Sequence, residues 1–183
     1  MKTAFTALSL TERALSLGAL MSGALLAGAH LFETFGGLAP CILCLDQREA
    51  HWTALAVAVA GLIISKFFKS KLGAAAAVGA VALVYLVSTG LAFYHTGVEY
   101  GYWPGPAICS GAAGLGGIDV KDLGASLGQK ADAPSCEDVQ WRFFGVSMAG
   151  YNLLASAGLF AFTFFAALTE TRSARGARNA KTA

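Results

Sequence analysis

Charge is what this sequence has least of. Asp, Glu, Lys and Arg make up 13% of its 183 residues, about half the roughly 25% of a soluble domain. With 56% hydrophobic residues and a mean hydropathy of +0.59, the chain lacks the polar surface of a water-soluble globule and reads as an integral membrane protein. No linker, second domain or internal repeat is visible, so residues 1–183 are read as a single membrane domain. The net charge of +2 says little by itself, and no nucleic-acid partner is expected. Cysteine is also scarce, with four residues in all.

The few charges collect in gaps between long apolar runs. A helix needs about 20 residues to cross a hydrocarbon core roughly 30 Å thick. Four stretches meet that length: about 14–32, 45–68, 72–94 and 143–168. The fold class is therefore an all-α membrane protein, a four-transmembrane-helix bundle. The connections 33–44 and 96–142 lie on one side, and the tail 169–183 lies on the other. Small residues such as Gly18, Ser22, Gly79, Ser88 and Gly158 are expected to allow close helix packing.

Basic residues set the orientation. Lys2, Arg13, Lys66, Lys69, Lys71, Arg172, Arg175, Arg178 and Lys181 fall on one side, with only Glu12 and Glu170 as acids. By the positive-inside rule that side is cytoplasmic, together with both termini. The cysteines then face outward, into the periplasm if the membrane is a bacterial inner membrane, where disulfides persist. A rival reading takes residues 2–29 as a cleaved leader ending at Ala27-Gly28-Ala29. Its apolar run is longer than a usual leader core, and the span is expected to be retained.

The two outer connections differ. In the first, Gly36-Gly37 and Pro40 precede Cys41-Ile42-Leu43-Cys44. Pro40 suits the start of the next helix, so the C-x-x-C pair falls at the N-terminal edge of the second span. The second connection is long, and such loops are usually functional or disordered. Tyr100, Tyr102, Trp103 and Trp141 mark its ends at headgroup depth. Leu115, Ile118, Leu123 and Leu127 recur at nearly helical spacing, which suggests a short amphipathic helix lying on the bilayer.

Four cysteines allow three pairings. Cys41–Cys44 with Cys109–Cys136 is the expected resting state. An i,i+3 disulfide constrains little chain, so redox chemistry explains Cys41 and Cys44 better than stapling does. A thiolate is the nucleophile, and a helix N-terminus or a basic neighbour stabilises it. Cys44 gains both, with Arg48 one turn on along the same face. A guanidinium there can also donate hydrogen bonds to a carbonyl oxygen such as a quinone carries. Closing the Cys109–Cys136 loop stabilises by roughly 3 kcal/mol in the chain-entropy picture, so a structural outer disulfide is a serious alternative for that pair. Four thiolates could hold zinc, but Cys109 and Cys136 form no second C-x-x-C, and no metal is expected. His95 ends the third span and is a candidate site residue. His30 and His51 read as interfacial packing or solvated groups, and Glu33, Asp46 and Glu49 as surface charge.

The segment from Pro40 through Cys41, Cys44 and Arg48 resembles the P-C-x-L-C-x-x-x-R signature of the disulfide bond formation protein B (DsbB) family. Phe93-Tyr94-His95-Thr96, Cys136-Glu137 and Gln140-Trp141-x-Phe143-x-Gly145 resemble further family stretches. The resemblance covers nearly the whole chain. It implies a protein-dithiol:quinone oxidoreductase whose cofactor is ubiquinone or menaquinone. Cys109 would meet a DsbA-like thioredoxin-fold partner, Cys136 would pass electrons to Cys41, and Cys44 would face the quinone. Arg48 would hold the quinone, with His95 near the same site. Two departures bear on partner fit and quinone preference: Asp46-Gln47 stands in place of an aromatic-acid pair, and the stretch after Cys109 is Gly-rich. The alternatives are a paralogue serving a dedicated partner, a vitamin K epoxide reductase-like enzyme, and a membrane scaffold with two inert disulfides.

Overall fold

The computed structural model describes residues 9–67, 71–106, 109 and 134–182. The leucines expected to form an amphipathic helix in the second connection lie outside the described residues. Four helices, long and apolar enough to cross a membrane, make the architecture. They are α1 (Leu10–Gly36), α2 (Ile42–Phe67), α3 (Lys71–Glu99) and α4 (Met148–Thr182). Contacts of α1 with α2, α2 with α3, α3 with α4 and α4 with α1 close the bundle.

Helix ends follow local chemistry more than hydropathy. α1 starts ahead of its apolar run because Ser9 and Glu12 form a capping box: Glu12 N donates to Ser9 Oγ, and Ser9 N donates to the Glu12 carboxylate. It stops at Gly37, whose φ of 64° is the left-handed cap that glycine adopts without strain. The Ala27-Gly28-Ala29 stretch lies inside this unbroken helix. α4 starts later than the expected Phe143. β1 (Arg142–Phe143) and β2 (Val146–Ser147) pair antiparallel, with Arg142 opposite Ser147 and Phe143 opposite Val146. Phe144 and Gly145 between them both have positive φ, as a two-residue turn of this hand requires. Ser147 Oγ then accepts the N–H of Gly150 and caps α4.

The mid-bundle core is built from small side chains around a few larger ones: Ala14, Leu15, Ala54, Ala58, Val78, Val81, Tyr85, Leu159 and Ala166. Large apolar residues such as Leu20, Leu83 and Phe165 point outward and are mostly exposed, as on a surface that faces lipid. Among the small residues singled out from sequence, Ser22 and Ser88 are fully buried, and a Cβ on Gly18 would touch Tyr85 Oη at 3.2 Å. Gly79 and Gly158 correct the expectation, because an added Cβ there meets nothing within 4 Å. The tight approach is instead at Gly61, where a Cβ would stand 2.6 Å from Ala77 Cβ and 3.0 Å from Leu15 Cδ1. Three helices meet at that point. Gly61→Val is expected to cost about 1–3 kcal/mol by overpacking, seen as a lower thermal unfolding midpoint in detergent.

Candidate active site at the cysteine end of the bundle

The C-x-x-C spacing is also a capping geometry. The Cys41 carbonyl accepts the first helical bond of α2, from Leu45 N. Its sulfur accepts the backbone N–H of Cys44 at 3.3 Å. Cys41 therefore occupies the N-cap position, with sulfur doing what a serine oxygen usually does. The two sulfurs lie 2.8 Å apart as free thiols, whereas the expected resting state had them bonded at about 2.05 Å. Cys41 is buried and Cys44 half-buried. The Cys44 sulfur beside it and burial push the Cys41 thiol up, so the proton stays on Cys41.

Cys109 and Cys136 are joined by a disulfide, with Cα atoms 5.3 Å apart. This bridge packs in one buried cluster with Cys41, Leu43 and Val98. The structure thus brings all four cysteines to one end of the bundle. His95 sits between the pairs. Its Nε2 is 3.6 Å from Cys41 Sγ and 3.9 Å from a Glu99 oxygen, and its ring reaches the backbone of Cys136. Glu99 is itself buried and accepts from Ser147 Oγ.

A cavity of about 360 Å³ opens beside Cys44, within the range of small-molecule pockets. α1 contributes apolar residues from Ala24 to Phe32, α2 gives Cys44, Arg48 and His51, and α4 gives Tyr151 and Asn152. Trp141 closes it, 5.2 Å from Phe32 and 6.0 Å from Tyr151 between ring centroids. Arg48 is the main cation. It pairs with Glu33 through Nη1 and donates to Ala29 O through Nη2 at 3.3 Å. Glu33 is therefore a partner of Arg48 and not simply surface charge, while Asp46 and Glu49 are exposed and His30 is half-exposed.

His51 corrects the sequence reading most clearly. It is 3% exposed and lies inside a polar chain that sequence reasoning did not assemble. Its Nε2 bonds Asn152 Oδ1 at 2.8 Å and its Nδ1 bonds Ser22 Oγ at 3.2 Å. Asn152 continues to Gln47, and Gln47 to His95. Ser22 continues to Tyr85, which donates to Gly18 O. Every buried side-chain nitrogen and oxygen among the described residues has a partner, as groups held away from water require. The signal was available as polar residues at i,i+4 within apolar runs: Gln47 with His51, His95 with Glu99, and Asn152 with Ser156.

Cys41, Cys44 and His95 offer three ligand atoms within 4.8 Å of one another. Two Zn–S bonds of about 2.3 Å at a tetrahedral angle hold sulfurs well beyond that 2.8 Å separation. The pair is spaced for S–H···S contact or for bonding, not for gripping an ion.

A four-helix membrane bundle with two cysteine pairs converging beside an apolar cavity defines a membrane thiol oxidoreductase of the disulfide-forming kind. The chain belongs to the disulfide bond formation protein DsbB family, whose model matches residues 11–166. Among curated relatives, the disulfide bond formation protein B of Aromatoleum aromaticum is 30% identical over 64% of this chain and 69% of its own. The uncharacterized protein RP370 of Rickettsia prowazekii is 27% identical over 73% of this chain and 74% of its own. No solved structure matches the chain.

Proposed function

We propose that this protein reoxidises a DsbA-like thioredoxin-fold dithiol oxidase and passes the electrons to membrane quinone, ubiquinone or menaquinone. It does so in a bacterial inner membrane, with both termini cytoplasmic and the cysteines periplasmic. A partner thiolate attacks Cys109 Sγ, the Cys109–Cys136 bond breaks, and its electron pair stays on Cys136. The second partner thiolate then displaces Cys109 and closes the partner's own disulfide. Two electrons now rest on Cys109 and Cys136. Cys136 attacks Cys41 of an oxidised Cys41–Cys44 pair, the bond between them breaks, and the electron pair moves to Cys44. Cys109 then closes on Cys136 and releases Cys41, leaving the inner pair reduced.

The observation that carries the reading is the asymmetry of the C-x-x-C pair. Cys41 is buried against the second disulfide, while Cys44 is only half-buried, and both border the cavity. The cavity suits a quinone headgroup: aromatic walls for a flat ring and the Arg48 guanidinium for its carbonyl oxygen. A quinone held there by Arg48 and the aromatic walls would supply the two-electron acceptor for the reduced inner pair, taking up two protons with the electrons. Cys109, the less deeply buried of its pair, is the natural point of entry.

Anaerobic mixing of the purified protein with a reduced thioredoxin-fold oxidase and each quinone is the direct test, read by quinone absorbance. Partner-dependent bleaching is expected, and its absence with every quinone would reject the reading. Mixed with the oxidised partner, Cys136→Ser is expected to accumulate a mixed disulfide through Cys109, whose thiolate opens the partner's own disulfide, visible by non-reducing electrophoresis. Trapping through another cysteine would overturn the order of transfer.

A further inference from the structure

The hydrogen-bond donors between the bundle interior and the dithiol all point one way. Their order starts at a backbone carbonyl, which can only accept. Leu43 O takes an N–H from Gln47 Nε2 at 3.1 Å. The same nitrogen lies 2.8 Å from His95 Nδ1, which is therefore an acceptor. Gln47 Oε1 is left facing Asn152 Nδ2 at 2.6 Å. Asn152 Oδ1 in turn accepts from His51 Nε2 at 2.8 Å. A neutral imidazole that accepts at Nδ1 carries its proton at Nε2. For His95 that N–H faces Cys41 Sγ, a Glu99 oxygen and the backbone of Cys136, all acceptors. Cys41 Sγ also receives the backbone N–H of Cys44. With these two donors directed at its sulfur, the S–H of Cys41 is turned to Cys44 Sγ at 2.8 Å.

We propose that Gln47, backed by Asn152 and His51, is a positioning residue that fixes His95 as its Nε2–H tautomer, so that the Cys44 sulfur is the terminal acceptor of a one-way donor chain. The chain runs His51, Asn152, Gln47, His95, Cys41, Cys44. It deepens the functional reading and rests on Cys44 being the sulfur that hands electrons on, because negative charge then collects on the more exposed sulfur of the pair. Among the described residues, the other titratable or charged groups facing this site are Arg48 of α2, paired to Glu33 of α1, Tyr85, Tyr94 and Glu99 of α3, Tyr151 of α4 and Asp138 before the hairpin. None of them touches His95 Nδ1, whose partner is Gln47.

An amide sets the sense of the chain, and a carboxylate cannot donate. Gln47→Glu keeps the size of the side chain but forces a neutral His95 to carry its proton at Nδ1, turning a lone pair toward Cys41. The test uses the full chain in detergent with Cys109→Ser and Cys136→Ser, which leaves one dithiol. Nitrogen-15 spectra of labelled histidine, at a pH where His95 is neutral, report the tautomer. Ultraviolet thiolate absorbance against pH reports the dithiol. The parent is expected to hold the His95 proton at Nε2 and Gln47→Glu to hold it at Nδ1. The thiolate titration is expected to move upward by about one pH unit, the tenfold scale of a lost hydrogen bond to a charged group. Asn152→Leu removes only the donor that holds Gln47 Oε1, and a smaller shift in the same direction is expected, which keeps the test alive if Gln47→Glu does not fold. A parent spectrum with the proton at Nδ1 would overturn the proposal. So would a thiolate titration unmoved in both variants. Neither readout contains a quinone or a partner protein. If both behave as expected and Cys44→Ala still reduces quinone, the functional reading falls and the donor chain stands.

Discussion

Cys44→Ala is expected to stop electrons reaching quinone while leaving the bundle folded and the Cys109–Cys136 bridge able to form. Both cysteines of the inner pair border the cavity; Cys44 is the more exposed of the two, and Cys41 is buried and packs against the outer disulfide. Without Cys44 the inner pair cannot store two electrons as a dithiol. The loss is expected to be roughly a thousandfold or more, the scale of removing a reacting nucleophile. Fold is not at stake, because the cap on the first turn of α2 belongs to Cys41. The check is anaerobic quinone absorbance with excess reduced partner, beside thiol alkylation and intact mass for the outer pair. Normal turnover would reject the assignment of Cys44.

Arg48→Ala is expected to lower kcat/KM for quinone by roughly 10- to 100-fold, which corresponds to about 1.5–3 kcal/mol for a hydrogen bond from a charged donor. Arg48 is 14% exposed and already oriented by Glu33 and Ala29 O, so little ordering is left to be done when a carbonyl oxygen arrives. Exchange between partner and outer disulfide lies elsewhere and is expected to be unchanged. Arg48→Lys is expected to restore only part of the loss, because an ammonium is a point charge that cannot bond Glu33, the backbone and a ligand with one planar fork. Unchanged quinone kinetics in Arg48→Ala would remove Arg48 from the site.

The spans were legible because hydropathy reports directly on the length a bilayer demands. Their ends were less so. The Ser9–Glu12 capping box begins α1 in residues that a hydropathy window discounts, and Phe143 belongs to a hairpin although it reads as apolar. The cysteine pairs were legible from spacing, and Cys109–Cys136 is bridged as expected. The polar chain was not. Gln47, His95 and Asn152 come from three helices, and a linear reading contains no rule for which faces will meet. His51 was misjudged for the same reason: as one histidine in a helix it has no visible partner, and its burial depends on Ser22 and Asn152. Glu99 was not singled out although it stands one turn beyond His95, because it falls in the outer connection rather than in a span.

α1 gives the largest single share of the cavity's walls and α4 adds to it; these first and last helices carry outward-facing apolar side chains. On the proposed quinone reading, a hydrophobic oxidant with a long isoprenoid tail would approach sideways, its chain staying in the acyl layer. Saturation of such an enzyme follows the oxidant's mole fraction among the lipids rather than its bulk molarity. Diluting the same amount of it with extra phospholipid is expected to slow turnover, although the aqueous concentrations have not changed.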